Sequence, residues 1–282
     1  MNDQTGTKPP DYLIIGHITK DQIEAGYRLG GTVTYSGLLA QRMGLKVAIY
    51  TSGASGLNLD ILGDIDIYDQ PGGDNTTTFV NEYTPDGRVQ RLLDRADELD
   101  LSQIPPRWKS AKIIHLAPVA QEIPLNGGSY FTKGFLGYSL QGWMRSWDKH
   151  GWISPAPLSS SSLIAGENTA GFVSIEDLGG DQSALEPFLQ KFPTLLYTLG
   201  PGGVELHTGG RSQLIPAPPT EEVDATGAGD IFAAAFLILW KIKGLTAELA
   251  AALANELAAL SIRQPGIKGI PSKSEITVTI KV

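Results

Sequence analysis

The 282-residue sequence contains no cysteine, and this removes disulfides, thiolate nucleophiles and cysteine-based metal sites together. It also lacks any apolar run near the roughly 18 residues of a membrane span, and the polar stretch from Met1 to Pro10 has no signal core. Positive charge is in short supply: 22 Lys and Arg face 30 Asp and Glu, for a net charge of -8 and a pI near 5.0. Such a surface argues against nucleic-acid or anionic-membrane partners, which select for clustered Lys and Arg. A small anion would then be held locally, by backbone N–H groups at a helix start. No Gly-x-Gly-x-x-Gly follows the first apolar run, which argues against a dinucleotide-dependent oxidoreductase. These absences predict a soluble cytoplasmic protein with no nucleic-acid or membrane partner.

What is present is an ordinary globular composition, 41% hydrophobic and 18% charged, with 33 Gly and 18 Pro for tight connections. The length predicts one large domain over 1–282, with disorder confined to the first ten residues. Short apolar runs at Tyr12 to Ile15, Leu45 to Tyr50, Lys112 to Leu116, Phe135 to Tyr138, Leu163 to Ala165 and Thr194 to Leu199 read as strands. A helix over Thr34 to Met43 separates the first two, and most other gaps are long enough for a crossover helix. This pattern predicts a mostly parallel sheet covered by helices. Two hairpins break the rhythm: Thr76 to Tyr83 with Val89 to Leu93 around Pro85-Asp86-Gly87, and Val204 to His207 with Gln213 to Ile215. The first hairpin, with Ile65 to Tyr68, suggests a small β lid over residues 64–95 and neighbouring N-terminal strands.

The strongest local signal is Asp224-Ala225-Thr226-Gly227-Ala228-Gly229-Asp230, directly before an Ile231 to Leu239 stretch that is apolar on every face. Gly227 and Gly229 let consecutive N–H groups point at one anion, and the helix dipole adds to that field. Asp230 falls in the first helical turn, where those N–H groups would keep it ionised at neutral pH. A carboxylate beside an anion hole is what phosphoryl transfer to an alcohol requires.

Asp-x-Thr-Gly-Ala-Gly-Asp followed by an apolar helix resembles the second signature of the ribokinase-like (PfkB) carbohydrate kinases. That resemblance implies an α/β three-layer sandwich with a mostly parallel central sheet and a small β-sheet lid. It implies an ATP- and Mg²⁺-dependent kinase acting on a sugar or polyol, with Asp230 as base and Gly227, Ala228 and Gly229 as the anion hole. Asp224 would border a monovalent-cation site, with K⁺ the candidate ion, and Gly266 to Pro271 is similar to the loop on its other side. Gly30-Gly31 resembles the substrate-side signature, Asp21 falls where the family holds substrate hydroxyls, and Tyr35 stands where the family usually has Asn. Thr198 to Val204, including Gly200 and Gly203, is similar to the nucleotide loop, and Asn255 lies where adenine is contacted. Gln141-Gly142-Trp143-Met144-Arg145 is similar to a segment of the inositol-kinase-like branch and makes Gln141 a candidate acceptor contact. The family's magnesium-orienting Asn-x-x-Glu, sought after Leu163 to Ala165, finds only Glu167 and Asn168, which would hold Mg²⁺ through waters.

Several readings stay open. Gly30-Gly31 and Gly200 to Gly203 are also plain turns, Glu167-Asn168 is also a helix-opening turn, and Trp143 with Trp147 also fits simple packing. Gly53 to Gly63 is short for the family, which leaves a homodimer through the lid an open expectation. A non-catalytic scaffold with this fold is the competing functional reading.

Overall fold

The computed structural model describes residues 8–84 and 87–281. A nine-stranded sheet runs, edge to edge, Arg211–Ile215, Val204–Thr208, Thr194–Thr198, Thr169–Ser174, Phe135–Ser139, Ile113–Leu116, Tyr12–Ile15, Val47–Ser52 and Asp66–Gln70. The first two are antiparallel additions at one edge; the remainder pair in parallel. Alternate residues of each strand feed opposite faces, as period-2 geometry dictates. Tyr12 and Ile14 join one core, Leu13 and Ile15 the other.

The first core packs beneath the helices Thr32–Arg42, Ala228–Lys241, Ala247–Ser261 and Lys273–Ile280. Ile231 to Leu239 are buried throughout, as their all-round apolarity predicts. The opposite face departs from the expected crossover helices. It is covered by single helical turns, among them Leu101–Gln103, Trp108–Ser110, Gly127–Tyr130 and Gln141–Met144, and by the four-residue helix Glu186–Leu189. Pro118, Pro124, Gly127 and Gly128 in one crossover, and Gly151, Pro155 and Pro157 in another, break any longer helix. Trp143 lies in such a turn and Trp147 in a short strand, Arg145–Trp147.

A four-stranded sheet stands beside the large one, in the order Gly26–Gly30, Thr19–Ile23, Thr78–Thr84, Gly87–Asp94. The expected hairpin is its second half, with the Pro85-Asp86 part of the turn outside the described residues. Two expectations need correction. Ile65 to Tyr68 is not part of this sheet: Asp66–Gln70 extends the large sheet through parallel pairing with Val47–Ser52. Leu163 to Ala165 is not a strand; the strand is Thr169–Ser174, in register with Phe135–Ser139.

The chain order in the large sheet reverses between Tyr12–Ile15 and Ile113–Leu116, and ligands of open α/β sheets bind outside the carboxyl ends of strands at such a switch point. The loops leaving these two strands are tied together by Glu122. Its fully buried carboxylate accepts the N–H groups of His17 (3.0 Å), Val119 (2.9 Å) and Ala120 (2.7 Å). Removing it would strand three buried donors at about 1–3 kcal/mol each. Glu122→Ala is therefore expected to lower the unfolding free energy by about 3 kcal/mol or more in urea titration. A change within about 0.5 kcal/mol would assign the pinning elsewhere.

Candidate active site

A cleft of about 610 Å³ opens at those carboxyl ends. Thr19, Val119, Gln141, Ser174 and Thr198, each at or just after the end of a different parallel strand, line it together. All seven residues from Asp224 to Asp230 line it, and much of the remaining lining falls into two groups held by separate contacts, its two arms.

The loop's shape is forced by contact. Gly227 has φ 85°, and a Cβ there would lie 2.4 Å from the Tyr35 ring. Gly31 caps the Thr32–Arg42 helix with φ 84°, and its Cβ would lie 2.4 Å from the His17 carbonyl. Both positions need glycine for conformation and for space. Tyr35, expected as an acceptor contact, lines the cleft as a buried wedge with its ring on Gly227 and its hydroxyl beside Gly266. Of the three expected anion-hole donors, Ala228 gives its N–H to the Ala225 carbonyl at 3.1 Å.

Asp230 enters from the first turn of the Ala228–Lys241 helix, and its backbone carbonyl accepts from the Ser36 hydroxyl at 3.0 Å. Its carboxyl is pushed up to about 6, chiefly by burial, with the charges of Asp177 and Asp21 adding to the rise. A hydrogen bond from Thr32 and the positive charge of Arg145 oppose it. Burial thus outweighs the stabilising donors anticipated from sequence, and the group is poised close to neutrality while still mostly ionised at pH 7.

In one arm, Asp21, Gln90, Gln141, Arg145 and Phe79 line the wall. The Asp21 carboxylate rests on Gly30, where a Cβ would come within 2.5 Å of its oxygen, and the buried Thr19 hydroxyl lies beside it. Arg145 donates to the Val119 carbonyl at 3.0 Å and stacks on Phe79 at 5.6 Å. In the other arm, Thr198 to Gly203 folds back on itself through Leu199 N–H to the Gly203 carbonyl (2.8 Å). Asn255 lines that arm, and its amide donates to the carbonyls of Ile215 (3.0 Å) and Pro216 (3.3 Å), pinning the edge hairpin to its helix.

Glu167 and Asn168 fall elsewhere. They are exposed and precede the Thr169–Ser174 strand, at its amino end, while the cleft lies at the carboxyl end. The stretch that does leave this strand into the cleft is Ser174-Ile175-Glu176-Asp177. Asp177 is closed into a turn by the Ser174 N–H (2.9 Å), and burial raises its carboxyl; Glu176 lines the cleft. Among the described residues no cluster of three or more His, Asp or Glu is placed to cage a metal. The oxygens of Glu176 and Asp230 fit an ion that keeps most of its ligands as water and phosphate, as Mg²⁺ does. Thr32, Arg145, Glu176 and Asp177 are site residues that the sequence reading did not select. Arg145 was visible in the Gln141 to Arg145 segment, and Glu176 would have followed from placing the strand at Thr169–Ser174.

The glycines separate shape from anion binding. A Cβ on Gly229 meets no atom within 4 Å, so Gly229→Ala is expected to melt like the wild type yet bind inorganic phosphate or an ATP analogue more weakly in calorimetry. Gly227→Ala is expected to lose stability as well. Equal melting of both variants would remove the Tyr35 contact as the reason for glycine at 227.

Residues 168–273 match the pfkB family carbohydrate kinase profile. A Bacillus subtilis (strain 168) ribokinase is 40% identical over 90 residues, 31% of this chain and 30% of that protein, so the aligned stretch spans under a third of the relative's length. A pyrophosphate-dependent myo-inositol-1 kinase converted into a myo-inositol-3 kinase by mutation has the same fold with a TM-score of 0.75 at 19% identity, covering 96% of this chain and 98% of the other. Arabidopsis thaliana ribokinase, complexed with ribose and ATP, superposes with a TM-score of 0.68 at 15% identity, covering 97% of this chain and 99% of its own. Over residues 168–273 the chain is thus similar to the pfkB family carbohydrate kinases, within a ribokinase-like α/β fold.

Proposed function

We propose that the protein is a kinase that transfers the terminal phosphoryl group of ATP, with Mg²⁺, to a hydroxyl of a sugar or polyol. The observation that carries this reading is the position of Asp230: a carboxyl poised near 6, beside a glycine loop at a helix start, in the lining of the cleft. The pfkB match over this same segment supports it.

The arm holding Asp21, Gln90, Gln141 and Arg145 offers the donors and acceptors that a polyhydroxyl compound needs, and the small sheet would cover it as a lid. In the transfer step Asp230 takes the proton of the attacking hydroxyl as the new O–P bond forms and the bond to the leaving ADP oxygen breaks. The backbone of Gly227 and Gly229 and the helix start stabilise the charge on the transferring group. Arg145, the one cationic residue among the described residues lining the cleft, lies close enough to Asp230 to add to that field. The second arm reaches Asn255 and Ala258 along the Thr198 to Gly203 loop, and Glu222 also lines the cleft. Beyond Arg145 the described lining offers no Lys or Arg for a bare pyrophosphate, so this arm suits a nucleoside better than the pyrophosphate named for the myo-inositol kinase above. Mg²⁺ supplies charge neutralisation between the terminal phosphates; Glu176 would hold its waters.

A coupled ADP-release screen over polyols, pentoses, hexoses and nucleosides tests the reading. Turnover of at least one is expected; no turnover with any acceptor, using either ATP or pyrophosphate, contradicts it. With the acceptor found, kcat/KM should fall as pH drops through about 6, because a base must be ionised to accept the proton. Asp230→Asn should lower kcat by about 10²–10⁴-fold and abolish that acid limb. Glu176→Gln should raise the Mg²⁺ concentration for half-maximal rate by about tenfold, whereas Glu167→Gln and Asn168→Ala should leave it unchanged. The reverse pattern would return the metal-orienting role to the amino end of the strand.

A further inference from the structure

We infer that Arg28 of the small sheet supplies, from within the chain, the positive charge that a monovalent cation would bring to Asp224, so that the protein functions without K⁺. Only the rate measurements below rest on the kinase reading.

The donor set at Asp224 is the starting point. One carboxylate oxygen accepts the Thr226 N–H and the other the Gly266 N–H, each at 3.0 Å. The Arg28 guanidinium approaches the second oxygen at 3.8 Å. A potassium ion needs several oxygens turned toward it, and here an N–H group faces each carboxylate oxygen and a guanidinium lies beside one of them. A second cation at that oxygen would be repelled by the guanidinium.

The sheet register explains how Arg28 arrives there. Asp21 and Arg28 are direct partners across the antiparallel pair Thr19–Ile23 and Gly26–Gly30, and opposite residues share a face. Asp21 lines the cleft, so Arg28 is carried on the same side. Its stem passes Gly266, where a Cβ would lie 3.6 Å from the Arg28 Cδ and from the Tyr35 hydroxyl. Arg28 therefore meets Asp224 at the point where the small sheet, the Gly227 loop and the Gly266 to Gly269 turn converge. Its charge neutralises Asp224, whose side chain is 13% exposed, from the solvent side, where Arg28 itself is 46% exposed. The contact couples the acceptor-side sheet to the anion loop.

The test compares K⁺ with tetramethylammonium at matched ionic strength, reading both initial rate and melting temperature, for the wild type, Arg28→Gln and Arg28→Lys. The wild type and Arg28→Lys are expected to show no difference between the two salts in either measure. Arg28→Gln is expected to lose about tenfold in rate in tetramethylammonium, the low end for an outer partner of a charged site, and to regain it in K⁺. Its melting temperature should rise with K⁺, since a bound ion stabilises the folded state. A wild-type rate or melting temperature that rises with K⁺ overturns the inference. So does an Arg28→Gln variant that equals the wild type in tetramethylammonium, or one whose loss and melting no cation changes. If the chain turns over no acceptor, the kinase reading fails on its own, and the melting temperatures still decide the role of Arg28. If Arg28→Gln does not fold, the wild-type comparison decides it.

Discussion

The Ala228–Lys241 helix has no polar face through Ile231 to Leu239, and that constraint organises the site. Such a helix has to lie under the sheet against other helices, where Phe232 and Phe236 pack edge-on against Phe172 of the Thr169–Ser174 strand. Its amino terminus is thereby delivered to the carboxyl ends of the parallel strands. The first-turn carboxylate, the glycine loop before it and the dipole of a buried helix then share one place. Burial that stabilises the fold is also what raises the Asp230 carboxyl, so the apolar sequence after the motif contributes to the chemistry of the motif itself.

For an acidic chain, the proposed binding of a phosphate donor poses a problem of local charge. The lining of the cleft includes Asp21, Glu176, Glu222, Asp224 and Asp230, with Arg145 in the same wall. The structure answers with geometry. The charge of Arg145 acts on both Asp177 and Asp230, Arg28 meets Asp224 across the sheet boundary, and backbone donors hold Asp177 and Asp224. What remains for an anion is the helix start and the glycine backbone, a field that requires no net positive surface.

The parts of this arrangement that are local in sequence were legible there. Asp224 to Asp230 followed by an apolar helix can be read without a fold, and so can the strand and helix alternation that gives a mostly parallel sheet. Elements defined by packing were not. Thr169–Ser174 was overlooked because Gly171 interrupts its apolar run. That glycine is required by contact, since a Cβ would come within 2.8 Å of Leu195 and of Phe192. The neighbouring Leu163 to Ala165 run is buried only in part and pairs with no strand, yet its apolar triplet gave the stronger signal. That misplacement put the metal-orienting candidates Glu167 and Asn168 at the end of the strand away from the cleft. Ile65 to Tyr68 was misassigned for a related reason: an apolar edge strand does not declare which sheet it joins. Arg28 and Thr32 carry no local signal at all, because their partners lie about 200 residues away in the chain, a separation that only the closed fold brings into contact.

The central claim is that one cleft presents an acceptor hydroxyl to Asp230 on one side and a terminal phosphate to the Gly227 to Gly229 backbone on the other. A crystal structure with a non-hydrolysable ATP analogue, Mg²⁺ and the acceptor identified by turnover tests it most directly. The account predicts the terminal phosphate on that backbone, with the reacting oxygen about 3–3.5 Å from phosphorus and within hydrogen-bond reach of the Asp230 carboxylate. A terminal phosphate bound away from the glycine loop, or an acceptor with no hydroxyl facing Asp230, would contradict it.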